Sequence, residues 1–410
     1  MADVLAVLNI FRTLANDFVT SRMTDCNYRI VYCTPAIYSV GGTERVVTAK
    51  ANYFAETLGY DVTIIVTEGN DDTSFFPLSD KVQVINLHLN FEELWEKSFF
   101  HKVTLYIRKI RKYRKRLQEE LMRIRPDITI STLRREINFL NDIDDGSLKV
   151  GELHLSRSNF RSFEADSFNV LKKIFHFWWK NDLVSSLKRL DKFVVLTENA
   201  KTEWPELDNL AMIPDPLTLN VGNHVSSLKS KRVIAIGRYA YEKGYDLLLR
   251  AWAIVEKQYP DWRLDLYGMG NRNPYEELLK ELHINPERCL LHGSLSDVMK
   301  AYLESSLLVL PSRTEGFGLV LLEAMACGVP VVAFDCSSGP GSIVSDGVDG
   351  ILVPSNDIES LAARMMLLMG NEILRVKLGE NGCRKAGDYT MDKIGQQWKD
   401  LFDELMQHEV

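Results

Sequence analysis

Four charged side chains in the second half of the chain are of types that recognise phosphates and sugars. Glu315 and Glu323 flank a glycine-rich loop, and Arg238 and Lys243 lie in an earlier loop that follows an apolar run. Arginine binds phosphate through paired hydrogen bonds and lysine binds it as a point charge. A carboxylate accepts hydrogen bonds without donating them, which suits sugar hydroxyls. These residues therefore predict a site for an elongated ligand that contains a diphosphate and sugars.

The elements around the glycine-rich loop follow the order strand, loop, helix, strand. The apolar run Leu307–Leu310 precedes the loop at residues 312–318, and an apolar, helix-compatible segment follows at residues 319–327. Gly316 and Gly318 permit backbone N–H groups to approach an anion at the start of that helix. The loop therefore predicts a phosphate site at a helix N-terminus.

Each of these residues also has an ordinary structural interpretation. Arg238 and Lys243 would then be surface cations in a solvated loop, and Glu323 would be an acid on the exposed face of a helix. The neighbours of Glu323 argue against the latter, since residues 319–327 are otherwise wholly apolar and predict a buried helix.

The first half begins with a similar pattern. Residues 28–33 form an apolar, strand-like run, and the loop after it ends in Gly41-Gly42. Thr43 is predicted to cap a helix that runs to Leu58, and strands are predicted at residues 61–66 and 82–87. Both halves therefore predict the opening of a doubly wound parallel sheet, and the fold class is α/β.

Composition limits the class of protein further. The chain has 410 residues, a net charge of −7 and six scattered cysteines without a C-x-x-C pair. This length favours two domains, and the negative charge argues against general affinity for nucleic acid. The cysteine pattern favours a reducing cytosol over disulfides or a zinc site.

The positions of prolines and changes in composition predict the domain boundaries. Residues 1–22 are interpreted as an N-terminal extension, because they are too short and too interrupted for a membrane span and lack the features of a signal peptide. A first Rossmann-like domain is predicted at residues 23–216, a linker at 217–230 and a second Rossmann-like domain at 231–390. A final amphipathic helix at 391–410 is expected to cross back to the first domain.

The order and spacing of the motifs in residues 230–356 resemble the retaining glycosyltransferases of family 4, which have the GT-B fold. The matching motifs include Gly237-Arg238, Glu242-Lys243-Gly244, Glu315-Gly316-Phe317-Gly318 and the Glu-x7-Glu spacing of Glu315 and Glu323. Within that family, the chain resembles bacterial hexosyltransferases of capsule, O-antigen and lipid-linked glycan synthesis. In the first half, Ile213-Pro214-Asp215-Pro216 resembles the usual Ile-Pro-Asn-Pro of that family.

The resemblance implies that residues 23–216 form the acceptor domain and residues 231–390 the nucleotide-sugar domain. It also implies a role for each site residue. Arg238 and Lys243 would bind the donor diphosphate, Glu315 the transferred sugar, and Glu323 the ribose. His154 would face the donor sugar near the reacting carbon, although a core histidine on a strand is the alternative. The other implied donor-binding residues are Gly41, Gly42, Gly237, Gly270, Gly316, Phe317 and Gly318.

The same resemblance implies the donor and the reaction. The loop at residues 335–344 resembles that of members that use UDP-hexoses such as GalNAc, Gal or GlcNAc, but Ser342 stands where a glutamate is usual. Transfer with retention is expected, with no metal or other cofactor. Asp142-Ile143-Asp144 formally matches an Asp-x-Asp metal motif of a different fold, but its polar loop lacks the matching context.

A basic stretch in the first half suggests a partner. Nine Lys or Arg residues and no acid lie between Lys97 and Arg116, with aromatic residues interleaved, and a second aromatic and basic run occupies residues 171–180. Solvated helix faces are one interpretation. An anionic membrane surface is the other, and it would suit a lipid-linked acceptor at the cytoplasmic face of the cell membrane.

Two other classes of function stay open. One is a non-transferase enzyme of the same fold, such as a UDP-sugar epimerase or a phosphorylase. The other is a sugar-nucleotide-binding subunit without activity. The presence of Glu315, Arg238 and Lys243 argues against the second, because a subunit without catalytic activity would not need all three residues.

Overall fold

The computed structural model describes residues 27–69, 73–96, 99–157, 183–222, 224–295, 297–336 and 339–407. Within them the chain forms two parallel sheets with helices packed against them. The sequence therefore predicted the fold class correctly. The second aromatic and basic run at residues 171–180 lies outside the described residues.

The first sheet has seven parallel strands in the order β3-β2-β1-β4-β5-β6-β7. The strands are β1 (Arg29–Thr34), β2 (Asp61–Val66), β3 (Val82–Asn86), β4 (Ile128–Ser131), β5 (Leu148–Glu152), β6 (Lys192–Val195) and β7 (Leu210–Met212). The helices of this half are α1 (Gly42–Glu56), α2 (Phe99–Ile124) and α3 (Glu198–Thr202), with further helical residues at 183–188.

The second sheet has six parallel strands in the order β10-β9-β8-β11-β12-β13. The strands are β8 (Arg232–Ile236), β9 (Arg263–Tyr267), β10 (Cys289–His292), β11 (Leu307–Leu310), β12 (Val331–Asp335) and β13 (Ile351–Pro354). The helices are α4 (Tyr245–Gln258), α5 (Asn273–Glu281), α6 (Val298–Leu303), α7 (Leu319–Ala326), α8 (Pro340–Ile343), α9 (Ile358–Gly370), α10 (Glu372–Ala386) and α11 (Met391–Gln407).

Both sheets reverse their strand order at one point, between β1 and β4 in the first and between β8 and β11 in the second. In open α/β sheets, ligands bind outside the carboxyl ends of the strands at such a point. The loops that leave β1, β8 and β11 contain most of the glycines and charged residues singled out in the sequence. Gly270 follows β9, His154 follows β5 and Glu323 lies in α7.

The last helix packs against the first sheet's layer, although it follows the second sheet in the chain. Trp398 and Phe402 are fully buried, and their rings lie 6.4 Å and 5.4 Å from the ring of Phe54 in α1. Each buried side chain of this kind contributes roughly 1.5–3 kcal/mol relative to an exposed one. Helix α11 is thus a second connection between the two halves.

The helix after the first glycine loop begins differently from the prediction. Its N-cap is Gly41 rather than Thr43, and no side chain caps it. The carboxylate of Glu44 instead folds back over Gly41, where an added Cβ would lie 1.9 Å from its Oε2 atom. A side chain at position 41 would therefore have to displace this carboxylate, which is the flexible end of the Glu44 side chain.

None of the helices within the described residues combines the length and the apolar composition that crossing a membrane requires. Among the described cysteines, Cys33, Cys289, Cys327 and Cys336 are buried free thiols, and Cys383 is partly exposed and also free.

Candidate active site

The loop after β8 lies in close contact with the end of β11, and a glycine permits this contact. Gly244 has a φ of 65°, and a Cβ there would lie 1.9 Å from the carbonyl oxygen of Pro311. Only glycine permits this approach with that backbone conformation. Lys243 is consequently held beside the glycine-rich loop, and its Nζ lies 2.7 Å from Oε1 of Glu315.

Glu315 is fixed from three sides. Besides Lys243, the hydroxyl of Ser312 donates a hydrogen bond to its Oε1 over 2.6 Å, and its side chain is only 10% exposed. Gly339 approaches from the next strand's loop, where an added Cβ would lie 3.0 Å from Cβ of Glu315. The carboxylate therefore has a defined orientation, as a group that positions a substrate requires.

Arg238 and Lys243 do not form one contact cluster. The side chain of Arg238 is 70% exposed and pairs with Glu242 over 2.7 Å. Arg238 therefore lies at the rim of the cleft, whereas Lys243 lies inside it.

Gly318, Gly270 and Phe317 contribute to the walls of the cleft. Gly318, with a φ of 104°, is the N-cap of α7, and Gly270 lies against Tyr239 in the loop after β8. Phe317 is 4% exposed, and its ring contacts Tyr389 at a centroid distance of 5.9 Å. Any contact of Phe317 with a donor must therefore come from its backbone, since its ring is part of the core.

Glu323 is buried, as its apolar neighbours predicted. It is 1% exposed, its Oε1 pairs with the Arg45 guanidinium, and its Oε2 accepts a hydrogen bond from Tyr302 over 2.9 Å. Burial raises the pKa of Glu323 above its ordinary value, and the opposing effects of Arg45 and Tyr302 only partly offset this. The carboxylate thus depends on its donors to stay charged.

The two halves touch at the glycine-rich loop. A Cβ on Gly316 would lie 2.4 Å from the carbonyl oxygen of His154 and 3.0 Å from Cα of Leu155. The hydroxyls of Ser156 and Thr314 lie 3.2 Å apart across the same cleft. Residue 316 must be glycine for this approach, and it is the backbone of His154, rather than its ring, that faces the loop.

The ring of His154 lies between two carboxylates. Its Nε2 is 3.4 Å from Oε1 of Glu152 and its Nδ1 is 3.3 Å from Oδ1 of Asp215, and the ring is only 6% exposed. Burial alone lowers the pKa of His154, but the charges of Glu152 and Asp215 raise it more, to about 9. His154 is therefore an imidazolium at neutral pH.

Lys50 completes this cluster from helix α1. Its Nζ pairs with Glu152 and lies 4.5 Å from the ring centroid of Trp398 in α11. Burial raises the pKa of Glu152, but Lys50 and His154 lower it more, to about 2. Two cations and two anions then balance, and the cluster joins β5, the segment after β7, α1 and α11.

The geometry of Glu152, His154 and Asp215 also fits a metal ion, since their ligand atoms lie within 4.8 Å of one another. A divalent ion there would displace the proton of His154. Together with Glu152, Asp215 and Lys50, the site would then carry a net charge of +1, and burying an uncompensated charge is costly. The charges therefore fit an imidazolium better than a metal.

The pH dependence of stability should report on this cluster. Because the folded pKa of His154 exceeds its ordinary value of 6.5, its contribution is full below about pH 6.5 and is lost as pH rises through about 9. The linked free energy of unfolding is on the order of 3 kcal/mol. We expect the melting temperature to fall between about pH 7 and pH 10, and this fall to be smaller in His154→Gln. Equal falls in both proteins would contradict the assignment.

Several residues of the site were missed in the sequence. Arg45 follows directly on the glycine loop, in Gly-Gly-Thr-Glu-Arg, and its place in the first turn of α1 was the available signal. Glu152 is two residues before His154, and side chains that alternate along an extended chain were the available signal. Asp215 lies 61 positions away and comes near His154 only in the folded chain. Asp142 pairs with Arg189 over 2.8 Å, which fits an ordinary ion pair at the formal Asp-x-Asp motif.

Comparison with known proteins identifies the family. The profile of the family described as "Glycosyl transferases group 1" matches residues 220–385. An uncharacterized glycosyltransferase of Haemophilus influenzae is 32% identical over 377 residues, which are 89% of this chain and 97% of that protein. The amylovoran biosynthesis glycosyltransferase AmsD of Erwinia amylovora is 29% identical over 52% of this chain and 62% of its own length.

A solved structure shares the fold over nearly the whole chain. A TarM variant of S. aureus, in complex with fondaparinux, alpha-GlcNAc-glycerol and UDP, has a TM-score of 0.74 and 15% sequence identity. The match covers 92% of this chain and 99% of that one. From the relative in H. influenzae, the matched profile and the shared architecture, this chain belongs to the group 1 glycosyltransferases and has the GT-B fold.

Proposed function

We propose that this enzyme is a retaining, family 4-type hexosyltransferase whose donor is a UDP-sugar carrying GalNAc, Gal, GlcNAc or Glc. Its acceptor is a hydroxyl of a glycan or lipid-linked glycan in surface polysaccharide or glycoconjugate synthesis. The observation that carries the proposal is the Lys243–Glu315 pair, which places a cation for phosphate and a carboxylate for sugar 2.7 Å apart at the strand ends. AmsD is a relative named for polysaccharide synthesis, and TarM was solved with UDP.

Each cleft residue has a role in this reaction. Lys243 and, from the rim, Arg238 bind the diphosphate, together with backbone N–H groups of residues 316–318 and the start of α1 at Gly42. Glu315 binds hydroxyls of the transferred sugar, and Glu323 binds the ribose. Gly41, Gly237 and Gly270 keep the walls free of side chains.

The chemistry follows from the charges. The bond between the anomeric carbon and the phosphate oxygen breaks, and the acceptor oxygen bonds to the same face of that carbon. The acceptor proton passes to the departing phosphate oxygen, so no protein general base is assigned. Lys243, Arg238 and the two helix N-termini stabilise the negative charge that develops on the diphosphate. In this proposal no metal is required.

A donor screen by thermal shift tests the proposal. We expect UDP and at least one UDP-hexose to raise the melting temperature, and GDP at the same concentration to raise it less, because ligands that bind the folded state stabilise it by mass action. Absence of a shift with every UDP compound would overturn the choice of donor.

We also propose peripheral contact with an anionic membrane through helix α2. Arg108, Arg111, Lys112 and Lys115 are exposed along this helix, next to Ile107, which is 46% exposed. Each basic residue near an anionic surface contributes about 1 kcal/mol. This surface would hold the enzyme at the inner face of the cell membrane, where a lipid-linked acceptor lies.

Vesicle flotation tests this contact. The protein should float with vesicles that contain anionic lipid and stay behind with neutral ones, and exchange of Arg108, Arg111, Lys112 and Lys115 for glutamine should abolish flotation. Flotation that is equal for the variant and the unchanged protein would contradict the assignment to α2.

A further inference from the structure

The buried carboxylate of the second half takes a cation from the first half. Arg45 lies in the first turns of α1 and pairs with Glu323 of α7, 278 residues further along the chain. The guanidinium also lies 5.2 Å from the ring centroid of Phe76, which belongs to the first half as well. Arg45 is 22% exposed at its side chain, so it borders the cleft rather than the core.

The two helices approach each other at their N-termini. A Cβ on Gly42 would lie 3.5 Å from Cδ1 of Leu319, the first residue of α7. Arg45 is three residues after Gly42 and Glu323 is four residues after Leu319, which corresponds to about 4.5 Å and about 6 Å along the helix axes. The Arg45–Glu323 pair therefore lies roughly one turn away from these two N-termini.

The proposed donor would extend from the helix N-termini to the Arg45–Glu323 pair. Its diphosphate would lie at the helix N-termini and its ribose at Glu323, one turn further in. Glu323 can accept hydrogen bonds from ribose hydroxyls only if it releases part of its contact with Arg45. A guanidinium released at this place is one turn from a diphosphate, and the ring of Phe76 keeps it at the cleft.

We propose that Arg45 is a further donor-binding residue, which exchanges its contact with Glu323 for the donor diphosphate when the ribose binds. This inference rests on the proposed function, because it requires a nucleoside diphosphate in the cleft. It assigns to the first half of the chain a charged diphosphate ligand, in addition to the backbone N–H groups at Gly42.

Uridine and UDP distinguish this role from that of a simple ion pair. Both ligands must displace Arg45 from Glu323, but only UDP offers the guanidinium a new anion. Loss of the guanidinium should therefore weaken the binding of UDP and leave the binding of uridine unchanged or tighter. A residue that only bridges the two halves would affect both ligands in the same direction.

The test is titration of the full-length protein with UDP and with uridine, by calorimetry or ligand-observed NMR. In Arg45→Gln we expect the affinity for UDP to fall about tenfold or more, while the affinity for uridine does not fall. Arg45→Lys should keep part of the UDP affinity and controls for folding. Arg364→Gln, on the exposed face of α9, is the matched control and should bind as the unchanged protein does.

The outcomes separate this inference from the function on which it rests. Unchanged UDP affinity in Arg45→Gln, or an equal loss for UDP and uridine, would overturn the role of Arg45 while the UDP donor stands. An unchanged protein that binds neither ligand would overturn the donor and this inference together.

Discussion

Replacing Lys243 with methionine should lower kcat by about a hundredfold to a thousandfold. The ammonium is the cation inside the cleft, 2.7 Å from Glu315 and 23% exposed, where its charge is less screened than that of Arg238 at the rim. In the proposed reaction it stabilises the charge that develops on the departing diphosphate. Methionine keeps the apolar stem, which packs against Gly237, and removes only the charge.

The control for this variant is Lys257→Met, which removes an exposed lysine from α4 in the same half. Steady-state rates of UDP release measure both. Lys243→Met should also bind UDP more weakly, whereas Lys257→Met should match the unchanged enzyme. Turnover by Lys243→Met within about threefold of the unchanged enzyme would show that the diphosphate is not stabilised here.

Replacing Glu315 with glutamine should lower kcat by about a hundredfold without weakening UDP binding. Glutamine keeps the size and one acceptor oxygen, so the hydrogen bond from Ser312 can persist. It removes the negative charge that would hold the sugar hydroxyls and oppose the positive charge at the anomeric carbon, whose transition state resembles an oxocarbenium ion. Because Lys243 no longer shares its ammonium with a carboxylate, UDP should bind equally well or more tightly.

Glu276→Gln is the matched control, because Glu276 is an exposed acid on α5. The measurement pairs single-turnover rates with UDP titration, so that binding and chemistry are read separately. A Glu315→Gln enzyme with normal turnover, or one that loses UDP affinity and turnover in equal proportion, would contradict the assignment of Glu315 to the transferred sugar.

Much of the fold was predictable because the local signals agree with one another. The predicted bounds of β2, Asp61–Val66, match the structure, and the last helix begins at Met391 as predicted. Strands buried on both faces give continuous apolar runs, and glycines or prolines mark their ends. The short edge strand Leu210–Met212 was missed, since three partly buried residues give too little periodicity.

The site was predictable only where its residues are neighbours in sequence. The loop that contains Glu315 and the Lys243–Gly244 turn carry their own glycine signals. The Arg45–Glu323 pair and the Asp215 contact of His154 instead join residues 278 and 61 positions apart. The first exists only because the two halves meet, and the second only because β5 and β7 end at the same edge of the first sheet. No local pattern records such contacts. The position of Thr43 shows the reverse case, in which a good cap residue lies inside the helix, because α1 already begins at Gly42 and no side chain caps it.

The mass balance of the reaction tests the central claim most directly. The enzyme would be incubated with the UDP-hexose that stabilises it most, with and without a lipid or glycan extract as the source of acceptor. We predict that UDP forms only when acceptor is present, in equal amount to the glycosylated product, and that the product keeps the anomeric configuration of the donor. An isomerised UDP-sugar, a product of inverted configuration, or UDP release that is independent of acceptor would contradict the account.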